Sequence, residues 1–274
     1  MVRRSFEGAT IPMLEDILSP EALVPRSAGH RERARVQFGD IPFARDTAGE
    51  QFLLRDATVF RLDDAPMTNH RAIHVLIFDG FADWEPAHAL AELRRSAKRT
   101  IRTVGFTGSP IVSMGGLRVM PDLELAAFRP DAVEMLILPG GDLWERTDYP
   151  RSALESLIAA LLAEETPVAA ICAGTLALAR THALDDRRHT SNMRSYSPAY
   201  ASEYAGEAHY VDSPAVRDRH VITASGLASV DFARAIFAEL GVFTAQDEAL
   251  WFDMFKHGRI PEGNITRGER RRHG

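Results

Sequence analysis

Residues 72 to 78 read "AIHVLIF", an apolar run bounded by turn residues, which is the pattern of a strand buried on both faces. A loop follows, then a helical stretch from about Pro86 to Lys98, and "IRTVGFT" (101 to 107) is the next strand, so the pattern opens as a βαβ unit. The Gly115-Gly116 pair reads as the turn of a small antiparallel insertion. "VEMLILPGG" (133 to 141) is a second buried strand ending on a Gly pair, and a helix from about Arg151 to Glu165 is stopped by Pro167. Next come the strand "PVAAIC", the helix "AGTLALAR", a hairpin in "VRDRHVITAS", an amphipathic helix "ASVDFARAIFAELG" closed by Gly241, and a last helix in "DEALWFDMFKHG". Apolar strands alternating with helices predict an α/β fold, a mostly parallel sheet covered on both faces.

The compact pattern runs over 69 to 258. Residues 1 to 68 differ: they are rich in Arg, Asp and Glu, carry breakers at Pro12, Pro20, Pro25 and Pro42, and hold no sustained period. They read as an N-terminal extension, partly disordered, in which "QFLLRDATVFRLDD" can form a strand or short hairpin. Residues 259 to 274 end in "RGERRRHG" and read as a flexible, solvated basic tail.

Composition narrows the function. The chain has 274 residues and a net charge of -6, which argues against a nucleic-acid binder that would neutralise phosphates with a basic face. The N-terminal twenty residues lack an apolar core before Glu15 and Asp16, so no secretory signal is expected, and no run is long enough to span a bilayer. A cytoplasmic protein with no membrane partner is expected. One cysteine excludes an intramolecular disulfide, and without paired Cys or His motifs no metal site is expected. Lys98 and Lys256 are the only lysines and neither lies in a reactive motif. The loop "FDGFADWE" carries two acids where a phosphate loop would need Ser, Thr and Gly, and there is no nucleotide fingerprint. No cofactor is expected.

The candidate chemistry gathers where strands end and helices begin, the usual place for a site in such a sheet. Cys172 ends "PVAAIC", and Ala173 and Gly174 allow a sharp strand-to-helix turn, so the thiol occupies a nucleophile elbow. A helix start beside it favours thiolate. The plain alternative is a buried structural cysteine. Glu85 follows the first strand; it is either a helix-start charge or, when protonated, a donor to a Cys172 thiolate and a proton shuttle. Asp83 is an alternative for that role, and Trp84 can wall the site or simply pack. The amides of Gly140, Gly141 and Ala173 are candidates for an oxyanion hole.

The segments "FDGFADWE", "LILPGGDLWE", "AAICAGTLALA", "RRHTSN" and "VITASGLASVDFARAIFAEL" together resemble the ThiJ/PfpI superfamily, the class I glutamine-amidotransferase-like proteins, and most of all its bacterial amidotransferase-like branch. The resemblance spans about residues 72 to 257. It implies a flavodoxin-like three-layer sandwich, usually a homodimer, with Cys172 on a strained elbow, Glu85 hydrogen-bonded to it and the Gly140/Gly141 region lining the oxyanion site.

Two departures matter. Where members often carry a histidine after the cysteine or at the end of a "TTH"-like segment, this chain has Ala173 and Asn192. His189 is the nearest substitute, but three positions from Asn192 on a strand it points to the opposite face, so it reads first as structural. Asn192 can polarise a substrate carbonyl or hold a water. "VITASGLASVDF" lacks the His-x-Glu pair of true glutaminase domains, which argues against glutamine hydrolysis. The leading expectation is therefore a cysteine-dependent hydrolase or lyase acting on a small carbonyl or amide substrate. A non-catalytic stress-response redox sensor or chaperone-like protein is the alternative, its motive being the absent histidine base. A third reading is a silent binding protein, with Trp251, Phe252 and Phe255 covering a dimer seam or packing in the core.

Overall fold

The computed structural model describes residues 71–260, together with the backbone of five upstream strands. Those strands are Ser5–Phe6 paired with Ala9–Thr10, and a three-stranded antiparallel sheet of Phe43–Arg45, Gln51–Arg55 and Thr58–Arg61. The hairpin expected in "QFLLRDATVF" is thus present. The chain divides into two units, Met13–His70 and the remainder. The expectations of disorder before residue 69 and of a flexible tail to residue 274 lie largely outside the described residues.

Within the larger unit, a seven-stranded sheet has the order β5-β2-β1-β6-β7-β9-β8. Its strands are β1 (Ala72–Ile77), β2 (Ile101–Gly105), β5 (Leu123–Glu124), β6 (Val133–Leu138), β7 (Val168–Ile171), β8 (Ala215–Asp218) and β9 (Val221–Ala224). All neighbours are parallel except β8 and β9. The inner strands need apolar side chains on both faces, and β1, β7 and β9 are buried at every position. The expected insertion is a separate ribbon of β3 (Ile111–Val112) and β4 (Arg118–Val119), turned at Gly116 with φ +85°.

The helices are α1 (Trp84–Arg95), α2 (Arg151–Ala163), α3 (Thr175–Arg180), α4 (Tyr196–Tyr200), α5 (Ser229–Leu240) and α6 (Ala245–His257). Helix α1 packs with α5 and α6 covers α5, while α2 packs with α3, which gives a three-layer, flavodoxin-like sandwich. Gly241 ends α5 in the left-handed conformation, as its position predicts. Arg219 and His220, both at positive φ, make the two-residue turn between β8 and β9. Helix α6 settles one alternative: Trp251 is buried and rings with Phe237 and Phe255, so this tryptophan belongs to the core.

The chain leaves β1 toward β2 on one side and then returns to β6 on the other. The adjacent carboxyl ends of β1, β6 and β7 therefore surround the switch point of the sheet, where a crevice forms in open α/β folds.

Candidate active site

Cys172 stands at that switch point with φ +57°, a left-handed conformation that costs a non-glycine residue about 1–2 kcal/mol. The strain is held in place from several sides. Ile171 is fully buried in β7, a short turn Cys172–Gly174 leads into α3, and Thr175 Oγ1 donates to the Cys172 carbonyl at 2.7 Å. Gly174 is required there, because a Cβ on it would lie 2.4 Å from the Leu138 carbonyl oxygen. The expected elbow is present.

Glu85 reaches the sulfur from the first turn of α1, which starts two residues earlier than the sequence predicts. Its side chain is 1% exposed, accepts a hydrogen bond from the Gly140 amide at 2.5 Å and is hydrogen-bonded to the Cys172 thiol. Burial pushes its pKa up to about 7, against the lowering effect of those two bonds. Burial also pushes the Cys172 thiol up to about 11, with the nearby Glu85 charge adding to it. Asn192 and the Ala173 amide donate to the sulfur and pull the other way, but they are outweighed.

Three expectations are corrected here. The helix start does not by itself hold Cys172 as a thiolate, because desolvation costs more than the local donors return. Once Glu85 has ionised, the thiol instead donates to its carboxylate, the reverse of a protonated acid donating to a thiolate. The Gly140 amide is likewise not free for an oxyanion, since Glu85 takes it. Among the described residues the Gly141 amide has no protein acceptor; Gly141 has φ +148°, and a Cβ on it would meet the Phe78 ring at 2.7 Å.

Asn192 is brought to the site. Its Nδ2 lies 3.4 Å from Sγ and its Oδ1 accepts from the Gly226 amide at 3.0 Å, which fixes the orientation of the side chain. The segment before it is tethered by Ser191 to Thr175 at 2.7 Å and by the Thr190 amide to Thr223 at 2.8 Å. Gly226 is a site residue that sequence reasoning missed: a Cβ there would lie 2.7 Å from Sγ and 3.2 Å from Glu85 Oε1. Its only signal is a glycine in the loop that follows β9, at the same end of the sheet.

The remaining candidates lie elsewhere. His189 is buried, with its ring nitrogens bonded to the Arg187 carbonyl and to Tyr204 Oη, and burial lowers its pKa; it is structural. Asp83 accepts from Ser113 Oγ at 2.7 Å and thereby ties the β3–β4 ribbon to the start of α1. Trp84 is 49% exposed rather than packed.

A thiol on a strained elbow beside a buried carboxyl, in this sandwich, defines a class of cysteine-centred α/β proteins. The family model for the DJ-1/PfpI family matches residues 71–239, and the chain belongs to that family. An uncharacterized protease, YoaZ, of Bacillus subtilis is 34% identical over 193 residues, covering 68% of this chain and 91% of that protein. A protein named as a deglycase, from Pyrococcus abyssi, is 31% identical over 117 residues, 43% of this chain and 69% of its own. Among solved structures, a DJ-1 superfamily protein of Agrobacterium tumefaciens is 37% identical with a TM-score of 0.64, covering 69% of this chain and all of that one. A thiJ/pfpI family protein of Bacillus anthracis is 33% identical with the same TM-score, covering 69% and 92%. No helix among the described residues is long and apolar enough to cross a membrane.

Proposed function

We propose that this protein is a cysteine-dependent hydrolase or lyase, amidotransferase-like, acting on a small carbonyl or amide substrate. The observation that carries the reading is the hydrogen bond between the Cys172 thiol and a Glu85 carboxyl whose pKa is about 7. A base poised near working pH is the most effective one. Glu85 therefore supplies what the absent histidines would.

Glu85 takes the proton from Sγ as sulfur attacks the carbonyl carbon, so the S–C bond forms while the carbonyl π pair moves onto oxygen. The Gly141 amide is free to hold that oxygen, and the Ala173 amide and Asn192 Nδ2, which bond the sulfur in the resting site, can turn to it once Sγ has bonded to carbon. Collapse of the adduct expels the leaving group, which receives the proton from Glu85. In the hydrolytic course, water gives a proton to Glu85 as its oxygen attacks the thioester carbon, and Glu85 passes that proton to the sulfur as the S–C bond breaks and Cys172 leaves as the thiol. The names protease and deglycase borne by relatives describe those proteins, and they fit this class of substrate.

Burial that raises the thiol favours the hydrolase reading over a redox role without turnover, which works best from a standing thiolate. The lone thiol suits a reducing, cytoplasmic setting. A homodimer is the assembly this reading carries, as in the resemblance, with exposed Met114 and Leu117 on the ribbon as apolar surface. The test is turnover of a panel of small amides, esters and glyoxals: Cys172→Ser abolishes it for whichever substrate is found, and an unchanged rate overturns the mechanism.

A further inference from the structure

Two short segments, from different parts of the chain, lie beside the Cys172 elbow and the helix it opens. The turn Asp142–Glu145, just after the β6 glycines, packs against Cys172–Gly174, and α4, which follows Asn192, packs against α3. Tyr196 Oη donates to Glu145 Oε1 at 2.8 Å and so ties one segment to the other. The Tyr196 phenol is pushed far above its ordinary pKa, first by burial, then by Glu145 and, through space, by the charge of Cys172. Its oxygen is therefore within electrostatic reach of the sulfur. Glu145 is exposed, and among the described residues its second oxygen has no protein donor. The arginines on these segments face other partners: Arg146 pairs with Asp148, and Arg194 lies over the Tyr210 ring with its guanidinium bonded to the Glu207 and Tyr210 carbonyls.

We propose that Glu145, held by Tyr196, is the substrate-recognition element of the Cys172 site, selecting a substrate with an ammonium or other N–H donor beside its carbonyl over one with a carboxylate. Glu145 attracts the first and repels the second, and no arginine of either segment is turned to compensate a carboxylate. The inference rests on Cys172 as the reacting group. It does not require that a substrate be turned over.

The test reads the field at the sulfur with two thiol reagents of one chemistry, cationic 2-aminoethyl and anionic 2-sulfonatoethyl methanethiosulfonate. In each, Cys172 sulfur attacks the divalent sulfur of the reagent, a disulfide forms and methanesulfinate leaves. The rate ratio on the full chain is divided by the ratio for 2-mercaptoethanol, which removes the intrinsic difference. The wild type should prefer the cation by about tenfold or more, and Glu145→Gln should cut that preference by more than about threefold. Tyr196→Phe, which releases Glu145 from its tether, should lower it too. Glu164→Gln removes an equal charge just past the end of α2, before β7 begins and so at the opposite end of that strand from Cys172, and should leave the ratio alone. A faster anionic reagent, or a preference that Glu145→Gln or Tyr196→Phe leaves in place, overturns the proposal. Failure of the hydrolase reading would show separately, as turnover that survives Cys172→Ser.

Discussion

The Glu85 carboxyl and the Cys172 thiol share a hydrogen bond in a space without room for one more carbon. A Cβ on Gly140 would lie 2.7 Å from Cys172 Cβ and 2.8 Å from Glu85 Oε2. At that proximity the two groups titrate as a pair, because a second negative charge in so small and buried a volume is costly. The proton that Glu85 gives up near pH 7 leaves a base already in contact with the nucleophile it must activate.

The same burial makes Glu85 a stability cost. A carboxyl raised from 4.5 to about 7 keeps its proton longer in the folded chain than in the unfolded one. Folding stability should therefore fall as pH rises from about 4.5 to 7 and stay low above that, by up to about 3 kcal/mol from this group. Glu85→Gln lacks the charge: in denaturant titrations it should match the wild type at pH 4.5 and exceed it at pH 8.

Asn192 joins the sulfur to the Gly226 amide, so Asn192→Ala removes a donor from Sγ and strands a backbone N–H. The thiol should titrate higher than in the wild type, and stability should fall by about 1–2 kcal/mol. Alkylation of Cys172 against pH and urea unfolding read the two effects.

Gly226→Ala places a methyl 2.7 Å from Sγ. Gly226 lies in the β9–α5 loop, outside regular structure, so the fold should persist with an unchanged circular dichroism spectrum while Cys172 modification slows by at least about tenfold. Gly174→Ala meets backbone carbonyl instead of a side chain, and should destabilise the whole chain.

His189 bonds Tyr204 and not the sulfur. His189→Ala should cost about 1–3 kcal/mol in unfolding, yet leave the Cys172 modification rate within about twofold of the wild type.

The parts of this fold that showed in the sequence are those in which local pattern and tertiary role coincide. Strands β1, β6 and β7 are apolar because both faces of a parallel sheet are covered, and the elbow is visible because a thiol is followed by two small residues. Helix α4, five residues long, and the two-residue edge strand β5 are too short to impose a period. Cys172, Glu85, Gly140 and Asn192 were legible as neighbours at one end of the sheet, but their bonds were not. Position shows that Gly140 approaches Glu85 and Cys172, whereas only packing shows that the Gly140 amide is spent on the carboxylate. Desolvation is equally invisible in a string of letters, so position alone predicts a helix-start thiolate where burial raises the thiol. Gly226, Glu145 and Tyr196 have roles set by neighbours distant in sequence, and nothing in "ASGLAS", "DLWE" or "RSYS" announces them.

The rate of Cys172 alkylation by neutral iodoacetamide, followed from pH 5 to 11 in the wild type and in Glu85→Gln, tests the central claim most directly. With Glu85 as the base, the wild-type rate rises first with a midpoint near 7, as the carboxylate forms and can accept the thiol proton, and rises again toward 11. Glu85→Gln should lose the step near 7 and show a single titration, below 11 because the repelling charge is gone. One titration well below pH 7, the same in both proteins, would mean a thiolate formed without Glu85 and would contradict the account.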